Sequence, residues 1–149
     1  MNVSNIIDKA ESQCRAHGVK LTQKRKQVLQ GLLEADKALS AYELADYCQA
    51  TFGHTMPAMS VYRILDFLKQ QQLVHELKLA NKYVACSHIA CSHSHDVAQF
   101  LICGQCQRVE EISISKSTMQ SLEKSVAEAG FSLQSPQIEM NCICDKCAH

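Results

Sequence analysis

The stretch SVYRILDFLKQQQLVHELKLANKYVAC, residues 60–86, changes its period part-way through. Val61, Ile64, Leu65 and Leu68 fall at i, i+3, i+4 and i+7, which gives a helix one buried face. Ser60, Tyr62, Arg63, Asp66 and Lys69 are left on the other face. After Gln72 the texture becomes that of two short strands, LVHELK and KYVAC, with Ala80 and Asn81 at the turn between them. Upstream, residues 3–17 read as a helix with Ile6, Ile7 and Ala10 on one side. Thr22 is placed to cap a second helix, striped by Val28, Leu29, Leu32 and Leu33. Ser40-Ala-Tyr-Glu43 is a capping box opening a third, continued by Leu44, Tyr47 and Cys48. Helices followed at once by a β-hairpin are the layout of a winged helix-turn-helix, in which the helix before the wing enters the major groove of DNA.

Beyond the hairpin, VAQFLICGQCQRVEEIS suggests two more strands joined through a Cys103–Cys106 turn. Ser117-Thr-Met-Gln120 predicts a helix with Met119, Leu122 and Val126 inward and Gly130 as its stop. FSLQSPQIEMNCIC reads as a final strand pair or one long strand. The expected class is therefore α+β: a winged helix-turn-helix domain over residues 1–84, then a small α/β domain over 85–149. The 149 residues allow two such units, and 46% apolar content supplies a core. No apolar run is long enough to span a bilayer, and the N-terminal stretch lacks a secretory core. A cytoplasmic protein with no membrane partner is expected. Nine cysteines in a reducing compartment point to metal or redox chemistry rather than disulfides. Residues 1–85 hold eleven Lys/Arg against eight Asp/Glu, and residues 86–149 four against seven. A mildly basic first half is compatible with a polyanion but does not identify one.

Three constellations carry chemistry. The strongest is Cys103-Gly-Gln-Cys106 with Cys144-Asp-Lys-Cys147: two tight turns, each offering two thiolates to one tetrahedral zinc. Cys142 is a spare that would break the matched spacing. Neither CxxC opens a helix in a βαβ unit, which counts against a thiol redox enzyme. The second set is looser: His75, Cys86, His88, Cys91, His93, His95, Asp96, Glu110 and Glu111. Mixed N, S and O donors of this kind favour zinc over iron(II) or manganese(II), although any one of these histidines alone is more often surface. The third is Ser60, Tyr62 and Arg63, whose guanidinium and hydroxyls suit guanine edges and phosphates. Taken alone, such a face is more often merely solvated. Lys20, Lys24, Arg25 and Lys26 form a basic run suited to phosphate contact or to plain surface. Cys14 and Cys48 occupy apolar helix positions as small core residues.

LTQKR…VL, SAYEL, SVYRILDFL, LVHELK, YVAC and the paired CxxC, in this order over nearly the whole chain, resemble the Fur family of metal-dependent repressors, and most of all its zinc sensors. The resemblance implies a homodimer held by the C-terminal domain, binding palindromic double-stranded operators when its regulatory metal is present. It implies two zinc ions per chain: a structural one on Cys103, Cys106, Cys144 and Cys147, and a sensed one on His75, Cys86, His95 and Glu111. Here the sequence departs from the pattern, with Asp96 where those sensors carry the histidine; His95 takes the role, and His93 is the reserve. His88, Cys91 and His93 are left as a possible third site. The iron-type run HHHDH is absent, replaced by Val97-Ala-Gln-Phe100, and Ser60 stands where the family usually has Thr. Tyr42, Tyr62 and Arg63 match its DNA-contacting positions. The implied function is a zinc-responsive repressor of zinc-uptake genes and not an enzyme; the rival is a sibling sensor of iron, manganese, nickel or peroxide.

Overall fold

The computed structural model describes residues 2–35, 37–86, 89, 98–134 and 137–148. They divide into two compact units, Met1–Ser92 and His93–His149. None of the described helices is long and apolar enough to cross a membrane.

The first unit contains α1 (Val3–Ala16), α2 (Gln23–Glu34), α3 (Ala41–Phe52), α4 (Ala58–Gln70), β1 (Val74–Leu77) and β2 (Lys82–Ala85). The helix starts are chemical. Thr22 accepts from the Arg25 N–H, and Ser40 and Glu43 form the reciprocal capping box. Left-handed Gly53, at φ 71°, stops α3. The apolar stripes close on one another: Val28, Leu29, Leu44, Val61, Leu65 and Leu68 are all fully buried. Cys14 and Cys48 are fully buried in the same core, and burial pushes both thiols up.

The hairpin pairs antiparallel, with His75 opposite Val84 and Leu77 opposite Lys82. Its turn ends on Asn81, at φ 52°. Leu39, in the α2–α3 connection, and Tyr83 exchange N–H···O bonds of 3.0 and 2.8 Å, and the hairpin pairing extends one step past β1 and β2, where Cys86 N–H donates to the Leu73 carbonyl at 2.8 Å. Tyr83 is buried, which pushes its phenol up to about 12.

Among the described residues, the second unit is a three-stranded sheet with one helix. Its strands β3 (Ala98–Cys103), β4 (Val109–Ser113) and β5 (Ile138–Cys142) lie in the order β4-β3-β5, and α5 (Lys116–Glu128) sits between β4 and β5 in the chain. The pair β3–β4 is antiparallel and β3–β5 parallel, with Cys103 beside Cys142. Two expectations are corrected. The cap of α5 is Ser115, whose Oγ accepts from Thr118 N–H, rather than Ser117. Leu122, expected inward, is 40% exposed, whereas Met119 is buried. Of the two readings of the final segment, the described residues hold the single strand, β5.

Candidate metal centre and nucleic-acid interface

The register of β3 and β5 builds the four-cysteine cluster. Cys103 ends β3, and its parallel partner Cys142 ends β5, so the turns that follow leave the same edge of the sheet. Each turn is closed by backbone bonds: Gln107 N–H to Cys103 O at 3.1 Å, and Cys147 N–H to Cys144 O at 3.0 Å. A third bond, Gly104 N–H to Cys142 O at 3.0 Å, holds the turns side by side. The four sulfurs of Cys103, Cys106, Cys144 and Cys147 lie within 4.8 Å of one another. Cys106 Sγ and Cys144 Sγ are 3.7 Å apart. That matches the edge of a tetrahedron with zinc–sulfur bonds of about 2.3 Å, so the donors fit a structural zinc ion.

The cluster's electrostatics suit a cation. Backbone N–H groups of Cys106, Cys144 and Gln105 hold the Cys103 thiol down to about 6. The Cys147 N–H lowers Cys144 in the same way. Cys147 moves oppositely, to about 12, because the sulfur of Cys144 accepts its proton as a hydrogen bond. Thiolates and thiols thus share the cluster, and a cation that binds expels the remaining protons. Arg108 joins the two turns by donating to Asp145 at 3.3 Å, and it pairs with Glu110 at 3.7 Å. Sequence reasoning missed this clamp; its signal was a cation just past one CxxC and an acid within the other.

The second donor set begins on the wing. His75 faces the same side as Val84, and two residues further on, at the end of β2, the chain reaches Cys86. The ligand atoms of His75 and Cys86 lie within 4.8 Å of each other; Cys86 is buried and His75 half-buried. In the other unit, Glu111 is half-buried on β4 opposite Phe100, while exposed Glu110 is engaged by Arg108. His88, Cys91, His93, His95 and Asp96 lie outside the described residues.

The candidate DNA face is open. Tyr42, on the first turn of α3, is 66% exposed. Along α4, Ser60 and Tyr62 are half-buried and Arg63 is exposed. The basic run splits. Arg25 stacks on Phe67, 3.7 Å from the ring centroid, and donates to the Lys20 carbonyl, while Lys26 pairs with Glu11. Lys20 and Lys24 are left as the candidates for phosphate contact.

Residues 16–141 match the ferric uptake regulator family. The chain belongs to the Fur family. Within the family it is 34% identical, over 95% of its own length and 81% of the relative's, to the zinc uptake regulation protein of Escherichia coli strain K12. A solved zinc uptake regulator complexed with zinc and DNA superposes with a TM-score of 0.85 at 29% identity, covering 99% of this chain and 96% of the other. The holo XcZur crystal structure gives 0.80 at 32% identity, with 97% of each chain covered. This Fur-family chain therefore shares its fold with solved zinc uptake regulators.

Proposed function

We propose that the protein is a cytoplasmic zinc-responsive transcriptional repressor that binds palindromic operators of zinc-uptake genes as a homodimer. The observation that carries this reading is the placement of His75 and Cys86 on the wing that directly follows α4, the helix bearing Tyr62 and Arg63. Metal donors on that wing tie occupancy to the element that reads DNA. His75, Cys86, His95 and Glu111 are proposed as the sensing ligands, and Cys103, Cys106, Cys144 and Cys147 as the structural ones. Tyr42, Ser60, Tyr62 and Arg63 are the proposed DNA contacts. Zinc at the sensing residues would supply a cross-link between the wing and the second unit. Cys86, held to Leu73 by its backbone, gives that link a fixed end.

Two copies would pair through the second unit, whose Ile112, Leu122, Phe131, Leu133, Met140 and Ile143 are all at least 40% exposed. Pairing would set two α4 helices at successive major grooves, about 34 Å apart. If zinc raises operator affinity about 100-fold, the coupling is about 2.7 kcal/mol, and DNA must tighten zinc binding by the same factor.

The test is operator binding with zinc, with iron(II) and with neither. Binding that needs zinc is expected; binding unchanged by zinc, or restored only by iron, would overturn the reading. Cys86→Ser should abolish the zinc dependence while each chain keeps one tightly held zinc.

A further inference from the structure

We infer that Met59 reads thymine, laying its side chain against the 5-methyl group in the major groove. The inference rests on the DNA-binding reading above and assigns a base preference to a residue outside the constellation described there. Met59, Tyr62, Arg63 and Asp66 stand at i, i+3, i+4 and i+7, so they share the outward face of α4. Met59 is 63% exposed and takes no part in the apolar core of its unit. It lies in the first turn, and the first residues of a recognition helix are the ones that reach base edges. Its side chain leans back toward the helix start, beyond Tyr62 and Arg63, so it covers different base pairs from theirs.

The chemistry then narrows the partner. A thioether has no proton to donate and accepts only weakly, so it cannot match the polar edges of guanine, cytosine or adenine. The thymine methyl is the one apolar group on the major-groove floor. Methionine is long and unbranched, which lets it follow that methyl without a fixed rotamer. Arg63, one turn on, makes no ion pair among the described residues and is open to guanine. The face therefore combines one apolar reader with one cationic reader.

The experiment uses the full-length, zinc-loaded protein and a duplex that it enriches from a randomised pool. Each thymine is replaced in turn by uracil, which lacks only the methyl group. Wild type should lose about fourfold in affinity per half-site at one position, the worth of about one buried methylene. Met59→Ala should bind the thymine duplex weaker by a similar factor and be indifferent to uracil at that position, with zinc content and melting temperature unchanged. Met59→Leu, which keeps an apolar reach, should restore the sensitivity. Equal uracil sensitivity in wild type and Met59→Ala, or none in wild type, would overturn the assignment while leaving zinc-dependent DNA binding intact. Failure of the zinc-loaded wild type to enrich any duplex would instead sink the DNA-binding reading itself.

Discussion

The two units of this chain close their interiors by different means. In the first, residues from four helices and a hairpin bury a continuous apolar core, with Gln27 the buried polar side chain among the described residues. In the second, Phe100, Ile102, Cys103 and Met119 are the buried apolar side chains among the described residues, while six large apolar ones stand at least 40% exposed. Domains of about 60 residues bury only about 60% of the surface of their unfolded chains and are marginal on packing alone. The first unit is thus held by fit. On the proposed reading, the second would rely on sulfur–metal bonds at one end of its sheet and on a further copy of itself over its exposed apolar residues.

The hardest test of that contrast is removal of the structural metal, by chelation or by Cys103→Ser. Structural zinc contributes about 10–16 kcal/mol of apparent folding free energy, more than such a unit could replace. Hydrogen exchange should show β3 and β5 losing protection while α2 and α4 keep theirs; protection retained in β3 would break the comparison. The mirror experiment is Leu65→Ala in the packed unit. It should cost about 2–5 kcal/mol in denaturant unfolding without altering zinc content. Next, Leu122→Asp should weaken self-association by about 2 kcal/mol in sedimentation equilibrium, and the four-thiolate zinc should stay bound.

The smallest effect belongs to a cap. Ser40→Ala should cost about 1 kcal/mol. Glu43, across the same capping box, is held below its ordinary value chiefly by the Ser40 N–H, with Lys82 adding to it. Because the folded value is depressed, its contribution is present above the ordinary value of 4.5 and is lost as pH falls below that. Glu43→Gln should therefore flatten the acid limb of the stability profile. An unchanged limb would show that the cap is not coupled to titration.

How far this was legible in the sequence differs between the same two units. Thr22 and Ser40 could be read as caps because each stands alone before a clean apolar stripe. Near α5 the signal fails, because Ser113, Ser115, Ser117 and Thr118 all offer hydroxyls, and spacing alone does not single out Ser115. Leu122 fits a buried stripe by spacing, yet it stands 40% exposed while Met119 is buried. Nor could the sequence show that β5 pairs parallel to β3, since partner choice along a sheet is not a local property. The four-thiolate cluster was readable because its chemistry repeats in one spacing. The wing donors were less so: His75 lies on β1 and Cys86 just past the end of β2, and only the hairpin register brings them together. The basic run misled in part, because Arg25 and Lys26 are absorbed by Phe67 and Glu11.

The parallel pairing of β3 and β5 also has a kinetic consequence. Gln99 must find Ile138 across β4 and all of α5 before the sheet has its third strand. Closing a loop of that length costs about 3 kcal/mol of chain entropy before any contact repays it. The helices and hairpin of the first unit are joined by short connections and owe little of this. The first unit should then fold well ahead of the second, and refolding should show two separated phases. Cys106 and Cys144 flank most of that loop, so zinc added before the slow phase should accelerate it, and zinc added afterwards should only slow unfolding.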